Sequence, residues 1–242
     1  MPAYEVYELN DGGSISGTVR WTGPRPEVEQ HPDREHGDVC GATQPSAALV
    51  VSGRDGVANA VVALVDVRRG RALTPPEEPP RLAQEGCRFV PHVLALVAGW
   101  PLDLVNRDPL MHNVRGRVGG RTVFDVGLPT EGATAREVLS EPGVVSLGCD
   151  VGHTWQRAWL HVYEHPYFAT TDEHGGYRLN GVPPGRYTIR VWHEGWRIVG
   201  SESGRPVYSS AVILTRSVSV SPRQETRVDF ELSQQAAEIA GE

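Results

Sequence analysis

From Ser14 to Trp21 the chain reads Ser-Ile-Ser-Gly-Thr-Val-Arg-Trp, which puts Ile15, Gly17, Val19 and Trp21 on one side. A period of two marks a strand with one buried face. Short apolar runs of the same kind return at 48–51, 58–65, 87–96, 102–106, 112–117, 143–147 and 159–163. Turn chemistry separates them, as in Thr22-Gly23-Pro24 and Gly53-Arg54-Asp55-Gly56, drawn from a supply of 27 glycines and 19 prolines. Many short strands joined by Gly and Pro turns predict an all-β sandwich architecture rather than a helical or α/β one. Residues 27–46 are expected to be irregular, 68–80 a Pro- and Glu-rich loop, and 133–140 the one helical piece.

A composition break falls at His165-Pro166. Beyond it the strand pattern restarts with Tyr177-Arg178-Leu179, the turn Val182-Pro183-Pro184-Gly185, Tyr187 to Trp192, and two later runs at 212–220 and 226–232. The expected division is a first sandwich over 1–164, a smaller second one over 165–235, and a polar tail over 236–242.

The chain of 242 residues has a formal charge of −7 and no lysine, so every cationic side chain apart from histidine is arginine. Acidic and basic residues interleave. The absence of a basic stripe argues against nucleic acid, and no apolar run is long enough to cross a bilayer. Met1-Pro2-Ala3-Tyr4-Glu5 is not a charged-then-apolar leader, which leaves the cytoplasm open as a compartment. Glu77-Glu78 sits in the Pro-rich loop, not in a pair arranged for acid–base work. Neither a Gly-x-Ser-x-Gly elbow nor a phosphate-cradling glycine loop is present.

Chemistry concentrates at Cys149-Asp150-Val151-Gly152-His153-Thr154-Trp155-Gln156, together with Met111-His112-Asn113-Val114. One thiolate and two imidazoles are the donors a mononuclear copper ion takes, and a trigonal His₂Cys set with a weak fourth ligand changes charge with little rearrangement. The candidate ligands are His112, Cys149, His153 and Gln156, with Asn113 expected to brace the loop by hydrogen bonds. Zinc also accepts Cys and His, although two His, one Cys and a neutral Gln would be an unusual zinc set. The bland alternative makes Cys149 a buried small hydrophobe and the histidines incidental. If Cys149 is a ligand, Cys40 and Cys87 remain as a pair; they either form a disulfide closing a long loop or are two buried thiols that never meet.

The stretch Asn106-Arg107-Asp108-Pro109-Leu110-Met111-His112-Asn113-Val114, then Pro142-Gly143-Val144 and Cys149-Asp150-Val151, resembles the plastocyanin-like cupredoxins. More narrowly, it resembles the bacterial two-domain proteins of the methylamine-utilisation or plastocyanin-like type. In these a cupredoxin precedes a carboxypeptidase-regulatory-like (transthyretin-like) sandwich. His165 to Asp172, Val182-Pro183-Pro184-Gly185-Arg186-Tyr187 and Val191-Trp192-His193-Glu194 look like that second module. The resemblance implies a Greek-key cupredoxin followed by a transthyretin-like sandwich. It also implies one copper ion and one-electron transfer to a redox partner protein, with a periplasmic or secreted location if Cys40 and Cys87 are bonded. Two other readings stay open: a copper enzyme with an open coordination position for a small molecule, and a copper storage or delivery module.

The chain departs from the family loop Cys-x-x-His-x-Trp-Met. Gly152 lengthens the loop by one residue, and Gln156 stands where methionine is usual, with Gln or solvent as the fourth ligand. Met111 neighbours His112 on a strand and so points to the opposite face. His92 is read as structural and His161 as a packing or surface residue. His165 and His193-Glu194 are read as a hydrogen-bonded domain junction, with a second metal site as the alternative.

Overall fold

The computed structural model describes residues 4–32 and 36–234. The polar tail expected over 236–242 lies outside them. The described chain is all-β, with strands packed into two sandwiches and a single four-residue helix, Gly37–Cys40.

The first sandwich is built from residues 81–163. One sheet runs, edge to edge, through Arg121–Leu128, His112–Val118, Gly143–Gly148, Arg157–Tyr163 and Val93–Val97. The facing sheet runs through Thr134–Val138, Pro101–Asn106, Arg81–Gln84 and Phe89–Val90. Alternation decides what faces inward: in Pro101–Asn106 the buried positions are Leu102, Leu104 and Asn106. With Leu82, Leu96, Val114, Leu128, Val145, Leu147, Leu160 and Val162 the two leucines form the core between the sheets. Burying one such side chain contributes roughly 1.5–3 kcal/mol.

Strand pairing divides the chain differently from the expected break at His165. Gly13–Thr22 pairs with Gly176–Val182, and Val61–Val65 lies between Phe168–Thr170 and Gly185–His193. Both N-terminal strands therefore belong to the second sandwich, together with Val212–Val220, Glu225–Arg227 and Phe230–Ser233. Ile15, Val19, Trp21, Val62 and Leu64 join Tyr167, Leu179, Ile189, Val191 and Phe230 in its core, which is the larger of the two. The physical reason is edge satisfaction. Without Gly13–Thr22, the strands Gly176–Val182, Glu225–Arg227 and Phe230–Ser233 would have no neighbour to bond. Composition marks where the second sandwich resumes, not where it begins.

Two local expectations also change. Residues 134–138 form an edge strand opposite Pro101–Val105, not a helix; Ala135 and Glu137 fall on the less exposed side, so the ladder overrides a weak helical pattern. The segment read as irregular holds the short pair Gln30–Pro32 and Thr43–Pro45 with the Gly37–Cys40 helix between. His92 precedes Val93–Val97, which pairs with Arg157–Tyr163 and not with the strand of His112.

The sandwiches meet along Arg157–Tyr163. Trp159 and His161 pack against Trp192, with ring centroids 5.3 and 4.4 Å apart. At the centre lies Glu194, 2% exposed. Its carboxylate accepts the indole N–H of Trp159 at 2.9 Å and is also bonded to His92 Nε2 and the guanidinium of Arg157. Attraction to His92 and Arg157 outweighs burial and holds the Glu194 carboxyl below its ordinary range.

Candidate metal centre

The five-stranded sheet places the candidate ligands. Arg115 pairs with Gly148, so Cys149, one residue past the strand end, comes opposite Val114 and lies on the same face as His112. The loop then turns back at Gly152, whose φ of 82° is the left-handed region that glycine enters without steric cost. The inserted glycine thus serves the turn that returns His153 towards Cys149.

Three donors converge. Cys149 Sγ lies 3.8 Å from His112 Nδ1 and 3.7 Å from His153 Nδ1, and all three residues are buried. An ion in the plane of these atoms, about 2.0 Å from nitrogen and 2.3 Å from sulfur, needs N···S separations of about 3.7–3.8 Å. The donor triangle already has that size, so the residues fit a small first-row cation.

Asp108 orients the first imidazole. It accepts His112 Nε2–H at 2.9 Å, which turns Nδ1 towards Cys149 Sγ. The amides of Gly86 and Cys87 hold Asp108 in turn, at 2.7 and 2.8 Å. Burial pushes the His112 imidazolium pKa down, but the bonds to Asp108 and Cys149 outweigh it and raise the value to about 9. Burial pushes the Cys149 thiol up, yet His112, His153 and the backbone of Asn113 and Val151 bring it down to about 6. The two shifts are the two sides of one thiolate–imidazolium attraction.

Asn113 braces the loop as expected: its Oδ1 accepts the Asp150 amide at 2.6 Å, and its Nδ2 donates to Asp125 at 2.8 Å. Gln156 is at the site as well, but its amide is turned. Nε2 lies 3.5 Å from His112 Nδ1, while Oε1 accepts a 2.8 Å hydrogen bond from Gln84 Nε2. Met111 is 52% exposed, on the other face from His112.

The cover comes from an unexpected place. Cys40 and Cys87 are disulfide-bonded, tying the Gly37–Cys40 helix to the first sandwich. Trp155 donates its indole N–H to the Cys87 carbonyl at 3.0 Å, and the ring of His36 lies 5.0 Å from that of His153. Among the described residues, the other His, Cys and carboxylate groupings close enough to hold an ion are Cys40-Cys87-His153 and Cys87-Asp108-His112. Both rely on disulfide sulfurs, which are no longer thiolate donors. His165 and His193 join no such grouping. His165 accepts the Tyr167 amide, His193 Nδ1 donates to the Glu194 carbonyl, and His92 bonds Glu194. His161, 2% exposed, is a packing residue and not a surface one.

Sequence reasoning missed Asp108, Gln84 and Arg205. Asp108 carried a usable signal, being a carboxylate four residues before a candidate ligand. Gln84 and Arg205 carried none, because a parallel strand pairing and a distant hairpin bring them in.

A family model described as carboxypeptidase regulatory-like domain matches residues 161–233. No curated protein matches the chain. Among solved structures, the copper-containing nitrite reductase of Thermus scotoductus SA-01 is similar at 22% identity, covering 39% of this chain, with a TM-score of 0.32. This chain spans 24% of that reductase. A purple cupredoxin from Nitrosopumilus maritimus matches at 19% identity over 35% of this chain and 99% of its own, with a TM-score of 0.31. An amicyanin variant in its reduced state matches at 14% identity over 36% of this chain and 85% of its own, with a TM-score of 0.33.

Proposed function

We propose that this chain is a mononuclear copper protein that carries single electrons to and from a redox partner protein. The observation that carries the reading is the buried triangle of Cys149 Sγ, His112 Nδ1 and His153 Nδ1, with sulfur 3.8 and 3.7 Å from the two nitrogens. Copper bound there would supply a one-electron couple. The protein's own part is to keep the donors in place and exclude water. Asp108 keeps the His112 proton on Nε2, and Asn113 fixes the peptide after Cys149.

Burial favours electron transfer over the two rivals. His112, Cys149 and His153 are each at most 1% exposed, and Gln156 is 2% exposed, so a substrate has little access and the metal little exit. One observation favours an open fourth position: Gln84 engages Gln156 Oε1 and turns it from the donors. The disulfide fits an oxidising compartment, periplasmic or secreted. No described helix is long and apolar enough to cross a membrane.

Titration with Cu(II) should give one equivalent bound and an intense visible thiolate charge-transfer band. Cys149→Ser should lose that band. Retention of the band in Cys149→Ser removes the assignment. A band that shifts strongly with azide identifies an open coordination position, hence the enzyme reading. Copper that leaves readily without a thiolate band points to storage or delivery.

A further inference from the structure

Ile198–Glu202 and Arg205–Tyr208 form a two-stranded ribbon that lies outside all four sandwich sheets. Its turn, Ser203-Gly204, has φ of 49° and 80°, positive at both positions, the pattern of a tight hairpin whose twist matches its strands. The whole first strand is exposed, and of the second strand Tyr208 packs against the margin of the second sandwich's core. To the first sandwich it presents Tyr208, whose ring lies 3.8 Å from the Arg157 guanidinium, and Arg205. One guanidinium nitrogen, Nη2, donates to the Cys149 carbonyl and to Asp150 Oδ1, both at 2.6 Å.

The peptide joining Cys149 to Asp150 is therefore held at both ends. Its carbonyl is bound by Arg205 from one sandwich, and its N–H by Asn113 from the other, at 2.6 Å. Arg115 takes the second carboxylate oxygen of Asp150 at 2.5 Å, so Asp150 is clamped between the two sandwiches as well. The plane of that peptide sets where the next amide, Val151 N–H, points, and that amide is one of the two backbone groups bonded to the thiolate. A tilt of the plane would change both the direction of Sγ and its hydrogen bonding. Arg205 is also a cation bonded to the carbonyl of Cys149 itself, and only part of its charge is offset by Asp150, which it shares with Arg115.

We infer that Arg205 is a positioning residue for the Cys149 ligand, delivered by the second sandwich, so that the two sandwiches together make one metal centre. The inference rests on the copper reading above. A cation beside the centre disfavours the more positive oxidised ion, so its loss stabilises Cu(II) over Cu(I). A change in the peptide plane alters the overlap of sulfur with the metal and hence the thiolate band.

The test uses the full chain loaded with Cu(II): wild type, Arg205→Gln, Arg205→Lys and, as a control, Arg178→Gln, which breaks an exposed pair with Glu225 on the second sandwich. Voltammetry of Arg205→Gln should show the Cu(II)/Cu(I) balance moved about tenfold towards Cu(II), which is about 59 mV lower for a one-electron couple. Its thiolate band and Cu(II) hyperfine coupling should move too. Arg205→Lys keeps the charge but not the forked geometry, so its potential should stay near wild type while the band shifts. Arg178→Gln should change neither. An Arg205→Gln protein with the wild-type potential and band overturns the inference. If that variant does not fold, an unshifted band and hyperfine coupling in Arg205→Lys overturn it equally. Wild type that binds Cu(II) without a thiolate band defeats the copper reading itself, a result distinct from either.

Discussion

Glu194 is the residue whose loss should separate the two sandwiches. Three donors converge on its buried carboxylate, from His92, Trp159 and Arg157, all on the first sandwich. Glu194→Ala leaves them without their acceptor. The His92 side chain is 8% exposed and is left without its partner; the Arg157 side chain, at 20%, reaches some water. A buried donor left unmade costs about 1–3 kcal/mol, and breaking a buried pair from one side costs about 3–5 kcal/mol. With Arg157 partly solvated, the expected loss is about 4 kcal/mol, set against a total of about 5–15 kcal/mol for a typical protein. Glu194→Gln should cost less, about 1–2 kcal/mol, because an amide oxygen in the Oε2 position still accepts from both Trp159 and Arg157 while its NH₂ faces His92 Nε2. The assay is urea unfolding of the metal-free chain, followed by far-ultraviolet dichroism and tryptophan fluorescence. Glu194→Ala should lower the midpoint and separate the two probes, because the sandwiches no longer unfold together. A single coincident transition with a loss below about 1 kcal/mol would refute the reasoning, and the interface would then rest on the packing of Trp159 and His161 against Trp192 and on the Arg205 contacts.

Thiol counting on denatured, unreduced, metal-free protein should find one free thiol. Removing the Cys40–Cys87 bridge, which spans 47 residues, by double substitution to serine should cost about 4 kcal/mol in the chain-entropy account; no change in midpoint would contradict it. Burial lowers the pKa of His161 to about 3 and of His165 to about 4. An unfolded chain takes up those protons near the ordinary 6.5, so the stability from keeping these rings neutral is present above pH 6.5 and is lost as pH falls towards 4. For His165 the loss is on the order of 3 kcal/mol; His161→Phe should flatten the pH dependence measured by urea midpoints, and an unchanged slope would show that His161 does not contribute. Gln156→Met offers a softer donor and should raise the copper potential by about 59 mV for each tenfold change in the balance. Gln84→Leu should free Gln156 Oε1 to turn towards the metal and lower the potential; an unchanged potential in both variants would mean that position 156 does not touch copper.

Period-two alternation and turn residues carried the all-β class, because a half-buried strand writes its two faces into neighbouring residues, as in Ser14 to Trp21. The cluster of candidate donors was legible for a similar reason. Cys149, His153 and Gln156 sit on one short loop, where spacing constrains distance, and His112 opens the strand that pairs with the one leading into it. Residues 134–138 misled because a short run with weak alternation takes its state from its partner, here Pro101–Val105.

Local sequence thus set the strand content and pointed to the candidate donors on the Cys149–Gln156 loop, because both are written into residues close along the chain. Tertiary structure alone decided the membership of the sandwiches, since Gly13–Thr22 finds its hydrogen-bonding partner more than 150 residues away in Gly176–Val182. It also decided the surroundings of the donors. Asp108 orients His112 from a nearby turn, but Gln84 reaches Gln156 across a sheet and Arg205 reaches Cys149 from a hairpin of the other sandwich. Such contacts leave no trace in local pattern, because a hydrogen bond between distant residues constrains their positions in space and not their spacing along the chain.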